Sequence, residues 1–211
     1  MIRLLVPKTP AQVKYLETLQ NFKKPLVIAT GPAGTGKTLF ACQEAIDRLS
    51  KRQIDRVVLT RPIVTADEDL GFLPGNIERK MDPWTRPMFD IMHNYFSSSR
   101  IKQLTRDKVI EISPLAYMRG RTFDNCFVVA DEMQNSTPNQ IKMLMTRVGE
   151  GTKMVVTGDV DQCDLRSGGG GLSDIIYRIE DKDLQYIEHV ILGAEDVQRH
   201  PVVKEVLDLY L

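Results

Sequence analysis

Short apolar runs recur along the chain, each stopped by a glycine, a proline or an acid, and between them apolar residues fall at helical spacing. LVIAT (Leu26–Thr30) runs into a glycine-rich turn and predicts a buried strand. In GKTLFACQEAIDRLS, which follows, Phe40, Cys42, Ala45, Ile46 and Leu49 lie near helical spacing, so a helix starts at the turn. RVVLT (Arg56–Thr60), stopped by Pro62, then VIEIS (Val109–Ser113), CFVVA (Cys126–Ala130) and KMVVT (Lys153–Thr157) predict further strands. Residues 62–108 are mixed, with a helix predicted over RPMFDIMHNYF and Pro87 in its first turn. The clearest helix is TPNQIKMLMTRVG: Thr137 caps it, Pro138 takes the first helical position, Gly149 ends it, and Ile141, Leu144, Met145 and Val148 form its apolar stripe. SGGGG (Ser167–Gly171) reads as a flexible loop, LQYIEHVIL as a last strand and HPVVKEVLDLYL as a closing helix. Apolar strands alternating with helices imply a parallel sheet covered on both faces, an α/β three-layer sandwich, and no internal repeat interrupts it.

Composition bounds this picture. A chain of 211 residues supports one sizeable domain, and a single domain over residues 1–211 is the expectation. Lys+Arg and Asp+Glu are both 28, so net charge gives no argument for a polyanion partner; only segregation of charge would. Cys42, Cys126 and Cys163 are far apart and form no CxxC pair, which argues against a disulfide framework or a zinc site and fits a reducing compartment. The N-terminus is too short in its apolar part for a signal peptide, and no apolar run approaches the ~20 residues of a membrane helix. The expectation is a cytoplasmic protein with no membrane contact.

Chemistry enters with GPAGTGKT (Gly31, Pro32, Ala33, Gly34, Thr35, Gly36, Lys37, Thr38), a full match to G-x-x-x-x-G-K-[ST] with a strand before it and a helix after. Glycines let backbone N–H groups turn inward on phosphate oxygens, and the helix N-terminus adds partial positive charge. Lys37 is assigned to the β- and γ-phosphates and Thr38 to Mg²⁺. Such a site needs a second metal anchor at the end of a neighbouring buried strand. Asp131, which ends CFVVA, fits that role, and Glu132 beside it is placed to orient and polarise an attacking water. Two candidate strands separate the loop from Asp131, and that order together with a catalytic glutamate points by analogy to the RecA-like side of the P-loop class.

The remaining candidates rest on position. KMVVTGDVDQCDL puts Asp159 and Gln162 at another strand end facing the crevice, where they can sense the γ-phosphate. The aspartates there fail the calcium-loop pattern, since Cys163 takes a ligand position and no glycine follows. Gln12, upstream of the loop, carries an amide that can donate to and accept from adenine's edge. Arg61, Arg119, Arg121 and Arg199 are the candidates for an arginine finger. The histidines have no metal spacing, and Trp84 and Phe89 beside Arg86 suit core packing better than base stacking.

The assembled segments GPAGTGKT, LGFLPG (Leu70–Gly75), DPWTRPMFD (Asp82–Asp90), PLAYMRGRTF (Pro114–Phe123), DEMQN, MVVTGD and RHPVV resemble, in order, the PhoH-like family, ATPases akin to superfamily-one helicases. The resemblance implies an ATP-binding RecA-like core, an adenine contact for Gln12, a motif at Asp159 and Gln162 that couples nucleotide to nucleic acid, and Arg199 as the favoured finger. Met133 departs from the family's usual alanine and Trp84 from its tyrosine, and neither removes a catalytic group. The family name refers to phosphate starvation in some bacteria, which nothing in these residues shows; the nuclease or RNA-binding modules of longer members are not expected here. The function expected is Mg²⁺-dependent ATP hydrolysis, coupled to RNA or single-stranded DNA, by a possible helicase. One core plus unassigned arginines implies a homo-oligomer, with a hexameric ring as one arrangement and a finger supplied in trans. The alternatives are an ATP-gated nucleic-acid-binding switch without unwinding and a small-molecule P-loop kinase.

Overall fold

The computed structural model describes residues 4–62, 86, 88–165, 170–198 and 202. Six strands form one sheet: β1 (Leu26–Thr30), β2 (Arg56–Arg61), β3 (Ile110–Pro114), β4 (Cys126–Ala130), β5 (Lys153–Gly158) and β6 (Ile187–Ile191). Their order is β3-β2-β4-β5-β1-β6, and every pairing is parallel. β1, β4 and β5 are buried at every position, which is why their sequences do not alternate and the centre of each is an unbroken apolar run.

The pleat divides the core in two. Val27, Ala29, Val57, Leu59, Phe127 and Val129 pack on one face against α1 (Pro10–Gln20) and α2 (Lys37–Ser50). Ile28, Val58, Val128 and Val156 pack on the other. Their partners there are Ile141 and Leu144 of α4 (Pro138–Met145) and Leu172 of α5 (Gly171–Ile179), with Phe123 from the connecting loop. The helix α3 (Ser98–Arg106) lies on the first face, sending only Ile101 and Leu104 inward. This is the α/β three-layer sandwich that the strand–helix alternation implies, with all six strands parallel.

Several elements depart from the sequence reading. α4 ends at Met145, with Thr146 as its C-cap, so Gly149 does not end it. Val148 has left the helix and bridges Phe123, and a Cβ at Gly149 would collide with Asp124 Oδ1 and with the Phe123 carbonyl oxygen. Glycine is there for a close backbone approach. Gly171 is no loop residue but the buried first residue of α5, packed on the carbonyls of Thr137 and Ser136. Among the described residues of RPMFDIMHNYF, the helical ones end at 93, where Tyr95 and Phe96 both donate back to the Met92 carbonyl and tighten the turn. The α1, α3 and α5 helices have no counterpart in the sequence reading. LGFLPG, Trp84 and most of the closing helix lie outside the described residues; Phe89 packs against the core.

The sheet order positions the site. β5 is inserted between β1 and β4, with Thr30 opposite Gly158 and Ala130 opposite Val156. The loop after β1 and the acids after β4 therefore flank the end of β5, at the carboxyl edge where parallel sheets hold ligands.

Candidate active site

Gly31 leaves β1 at φ +143°, and a Cβ there would collide with the carbonyl oxygen of Leu192, so only glycine lets the loop pass beneath the turn after β6. Gly36 is left-handed (φ 87°) and turns the chain into α2. Within this arch, Lys37 Nζ donates to the carbonyls of Gly31 (2.6 Å) and Pro32 (2.8 Å). Burial pulls the Lys37 pKa down, and Asp159, Asp131 and Glu132 push it back up. A buried ammonium facing three carboxylates suits a group that will neutralise phosphate charge.

Thr38 Oγ1 donates to Asp131 Oδ1 at 2.6 Å, joining the first turn of α2 to the end of β4. Thr157 Oγ1, from the end of β5, donates to the same oxygen at 2.7 Å. The sequence reading gave Thr157 no role; its signal was its place just before Gly158 at a strand end. A hydroxyl and a carboxylate side by side are the hard oxygen donors magnesium takes, usually one or two carboxylates completed by water and substrate phosphates. The donor set therefore fits the ion. Among the described residues no cluster of three or more His, Cys, Asp or Glu competes as a metal site.

Glu132 follows with φ 54°, a left-handed backbone that a non-glycine residue adopts only when its surroundings enforce it. Asp159, buried at the end of β5, accepts from the Asp161 N–H and, at 2.8 Å, from Gln162 Nε2. Lys37 and Thr38, Asp131 and Glu132, and Asp159 and Gln162 thus converge from three strand ends on one cavity of about 720 Å³.

Gln12 lines the same cavity. Its Nε2 donates to the carbonyls of Thr35 (3.2 Å) and Asp196 (3.0 Å), and its Oε1 accepts from the Lys8 N–H (2.8 Å). Asp196, which the sequence reading missed, is buried; its carboxylate accepts from Thr9 Oγ1, the cap of α1, and from the Gly193 N–H at 2.7 Å. Tyr15 Oη donates to the Lys37 carbonyl at 2.9 Å. Gln12, Tyr15 and Asp196 together fix α1 and the turn after β6 against the loop.

The arginines separate. Arg121 is held by Glu111 through two hydrogen bonds (2.5 and 2.8 Å), with its guanidinium 4.8 Å over the Phe123 ring, and that pairing keeps its pKa raised. Arg119 is exposed on the flank of the sandwich beside α4. Arg199 lies outside the described residues; the N–H of Gln198 donates to the Gly34 carbonyl at 2.9 Å. His189 is a structural partner of Thr30 (2.9 Å).

The family model described as PhoH-like protein matches residues 4–211. A PhoH-like protein of Bacillus subtilis (strain 168) is 43% identical over 204 residues, covering 96% of this chain and 63% of the relative. A PhoH-like protein of Mycobacterium tuberculosis is 45% identical over 205 residues, covering 97% and 57%. Protein PhoH of Escherichia coli K12 is 41% identical over 209 residues, covering 98% and 58%. The chain thus spans about three fifths of the length of these relatives. Among solved structures, the UvsW helicase of bacteriophage T4 aligns with TM-score 0.53 at 14% identity, covering 90% of this chain and 60% of its own. The large terminase of a thermophilic bacteriophage aligns with TM-score 0.56 at 10% identity, covering 96% and 50%. At such identities the structural likeness speaks to the fold alone. Among the described residues no helix is long and apolar enough to cross a membrane.

Proposed function

The chain belongs to the PhoH-like protein family, and from that premise we propose that it binds ATP with Mg²⁺, hydrolyses it to ADP and phosphate, and couples the hydrolysis to RNA or single-stranded DNA. The observation that carries the hydrolysis is the contact of Thr38 with Asp131 at 2.6 Å, with Glu132 next in the chain and on the same cavity. Lys37 offsets phosphate charge, and the loop's N–H groups and the start of α2 orient the polyphosphate. Thr38 and Asp131 would hold magnesium, which when bound would supply Lewis-acid stabilisation of charge on the phosphate oxygens. Glu132 accepts a hydrogen bond from the attacking water and takes its proton as the new P–O bond forms and the bond from the γ-phosphorus to the β,γ-bridging oxygen breaks, with ADP as the leaving group. Gln162, tied to Asp159, reads the γ-phosphate side. Gln12 Nε2 spends both its N–H bonds on the Thr35 and Asp196 carbonyls, so toward an adenine edge the amide can only accept, through the remaining lone pair of Oε1, and the donating half of the expected contact is not available in this arrangement.

The nucleic-acid half of the reading rests on charge segregation in a chain of zero net charge. Arg119, Lys142 and Arg147 line a surface groove with Asn139 and Thr146, and among the described residues no carboxylate lines that groove or pairs with any of the three cations. Tyr117, 55% exposed, stands on the adjoining turn. Cations without counter-charges beside an exposed aromatic suit a phosphodiester strand. Steady-state ATPase assays with and without single-stranded RNA and DNA test the whole reading: turnover is expected to rise with at least one of them, and a chain with no turnover under any of these conditions refutes it. Strand displacement in the same mixtures distinguishes a motor from an ATP-gated switch. Arg119→Ala with Lys142→Ala is expected to lower the salt dependence of single-strand binding by about 0.7 per lost phosphate contact. Turnover without nucleic acid should be unchanged. We further propose a homo-oligomer in which a neighbour supplies the arginine finger, with Arg199 the candidate; sedimentation of a monomer that retains full turnover would overturn it.

A further inference from the structure

Hydrolysis leaves two polar residues of DEMQN unused, Gln134 and Asn135, and of the two it is Gln134 that touches Glu132. Gln134 sits in the 3₁₀ turn Met133–Asn135 and is 1% exposed. Its side chain does not reach toward phosphate. Nε2 donates to Glu132 Oε2 at 2.6 Å, and Oε1 accepts from the Asp159 N–H at 3.2 Å.

The chemistry of the two partners fixes this orientation. A backbone N–H can only donate and a carboxylate can only accept, so the amide oxygen must face Asp159 and the amide nitrogen must face Glu132. Glutamate at this position would set a second carboxylate against Glu132. An apolar residue would leave the buried Asp159 N–H without its acceptor. Only an uncharged amide of this length serves both ends.

The turn around Gln134 is held from all sides. Asn135 exchanges hydrogen bonds with Asp164, donating from Nδ2 (3.1 Å) and accepting from the N–H (2.9 Å). Cys163 Sγ donates to the Gln134 carbonyl at 3.2 Å, and the Gly171 N–H donates to the Ser136 carbonyl at 2.6 Å. A Cβ at Gly158 would lie 2.6 Å from Gln134 Oε1, so the residue before Asp159 is one that leaves room for the amide. A continuous path runs from Glu132 through the Gln134 amide to the Asp159 backbone, and the Asp159 carboxylate holds Gln162 at 2.8 Å. Both ends of that path line the nucleotide cavity.

We infer that Gln134 is a positioning residue for ATP hydrolysis: its amide holds one oxygen of Glu132, leaving the other for the attacking water, and ties that orientation to the β5 turn bearing Asp159 and Gln162. The inference rests on the hydrolase reading above. A displacement of the β5 turn by γ-phosphate or by a bound strand is thereby transmitted to Glu132.

The test is Gln134→Glu beside Gln134→Met, with kcat and KM for ATP measured for each. Gln134→Glu keeps an acceptor for the Asp159 N–H but replaces the donor to Glu132 with a like charge. Gln134→Met, uncharged and of similar size, removes both contacts. Each is expected to lower kcat about tenfold or more, with KM within about twofold. A folded Gln134→Met with wild-type kcat, or a loss in either variant that falls on KM with kcat unchanged, overturns the inference, and Gln134→Met decides alone if the other variant does not fold. A wild-type chain without ATPase activity overturns the hydrolase reading itself, whereas an active wild type with an indifferent Gln134→Met overturns only this assignment.

Discussion

Glu132→Gln is expected to lower ATP turnover by about 10²–10⁴-fold, the usual contribution of a positioned general base, while ATP binding persists. The substitution keeps the side chain's length and its place on the cavity. It removes the capacity to take a proton from water. The amide can also turn its oxygen to Gln134 Nε2, which now donates to Glu132 Oε2 at 2.6 Å, so the local hydrogen bonding survives. Nucleotide affinity comes from other groups: the loop's N–H groups, Lys37, and the Thr38–Asp131 pair. A trapped, ATP-bound state is therefore the predicted phenotype, read by equilibrium binding of ATP beside steady-state phosphate release. Turnover at the wild-type rate with binding intact would remove the water-directed role of Glu132 and return the small-molecule kinase as the better reading, since transfer to an acceptor hydroxyl makes no use of a glutamate poised on water.

That assignment is legible in the sequence because it rests on chain-local facts. The phosphate loop is eight consecutive residues, and Asp131 and Glu132 adjoin a strand whose apolar run, Cys126–Ala130, ends where the structure ends it. Strands buried on both faces announce themselves as runs of valine, isoleucine and alanine, so β1, β2, β4 and β5 are legible to within a residue. Signals that depend on tertiary placement are not. The partners of Gln134 and the hydroxyl of Thr157 follow only once β5 is known to lie between β1 and β4. α5 escapes because its start is glycine, and Gly170 and Gly171 are there to pack on the carbonyls of Gln134, Ser136 and Thr137. α3 escapes because its apolar stripe is two residues, Ile101 and Leu104, among polar ones. Gly149 follows the helix-terminator rule in sequence and serves the neighbouring loop instead.

Lys153 is the sharpest case of a residue whose role its sequence conceals, and Lys153→Met is expected to destabilise the fold by about 2–4 kcal/mol. A lysine opening a strand reads as a solvated end. Here it is fully buried, and its Nζ donates to the carbonyls of Thr18 (2.7 Å), Asn21 (2.9 Å) and Lys24 (2.7 Å), where α1 ends and the chain turns into β1. A cation at a helix C-terminus is favourable, and the Phe22 ring lies 5.8 Å away. Methionine fills the same space without donating. The Thr18 and Asn21 carbonyls retain backbone donors from Asn21 and Lys24, at 3.3 and 3.1 Å, so the cost concentrates on the Lys24 carbonyl and, below the folded pKa where the side chain is charged, on the lost charge–dipole attraction. Relief of the desolvated ammonium offsets part of it. The pH dependence follows from the same burial, which, with Arg48 next, pulls the Lys153 pKa from 10.5 to about 7. Between those values the unfolded chain carries a proton that the folded chain has released, so wild-type stability rises with pH across that window. Lys153→Met removes the rise, and the destabilisation should be larger near pH 9 than near pH 6, on either side of the folded value. Urea denaturation at the two pH values measures it, and a variant as stable as wild type at both would show that the three carbonyls do not depend on the lysine. Because α1 carries Gln12 and Tyr15 to the phosphate loop, loosening its C-terminus should also weaken ATP binding at temperatures where the sheet itself remains folded.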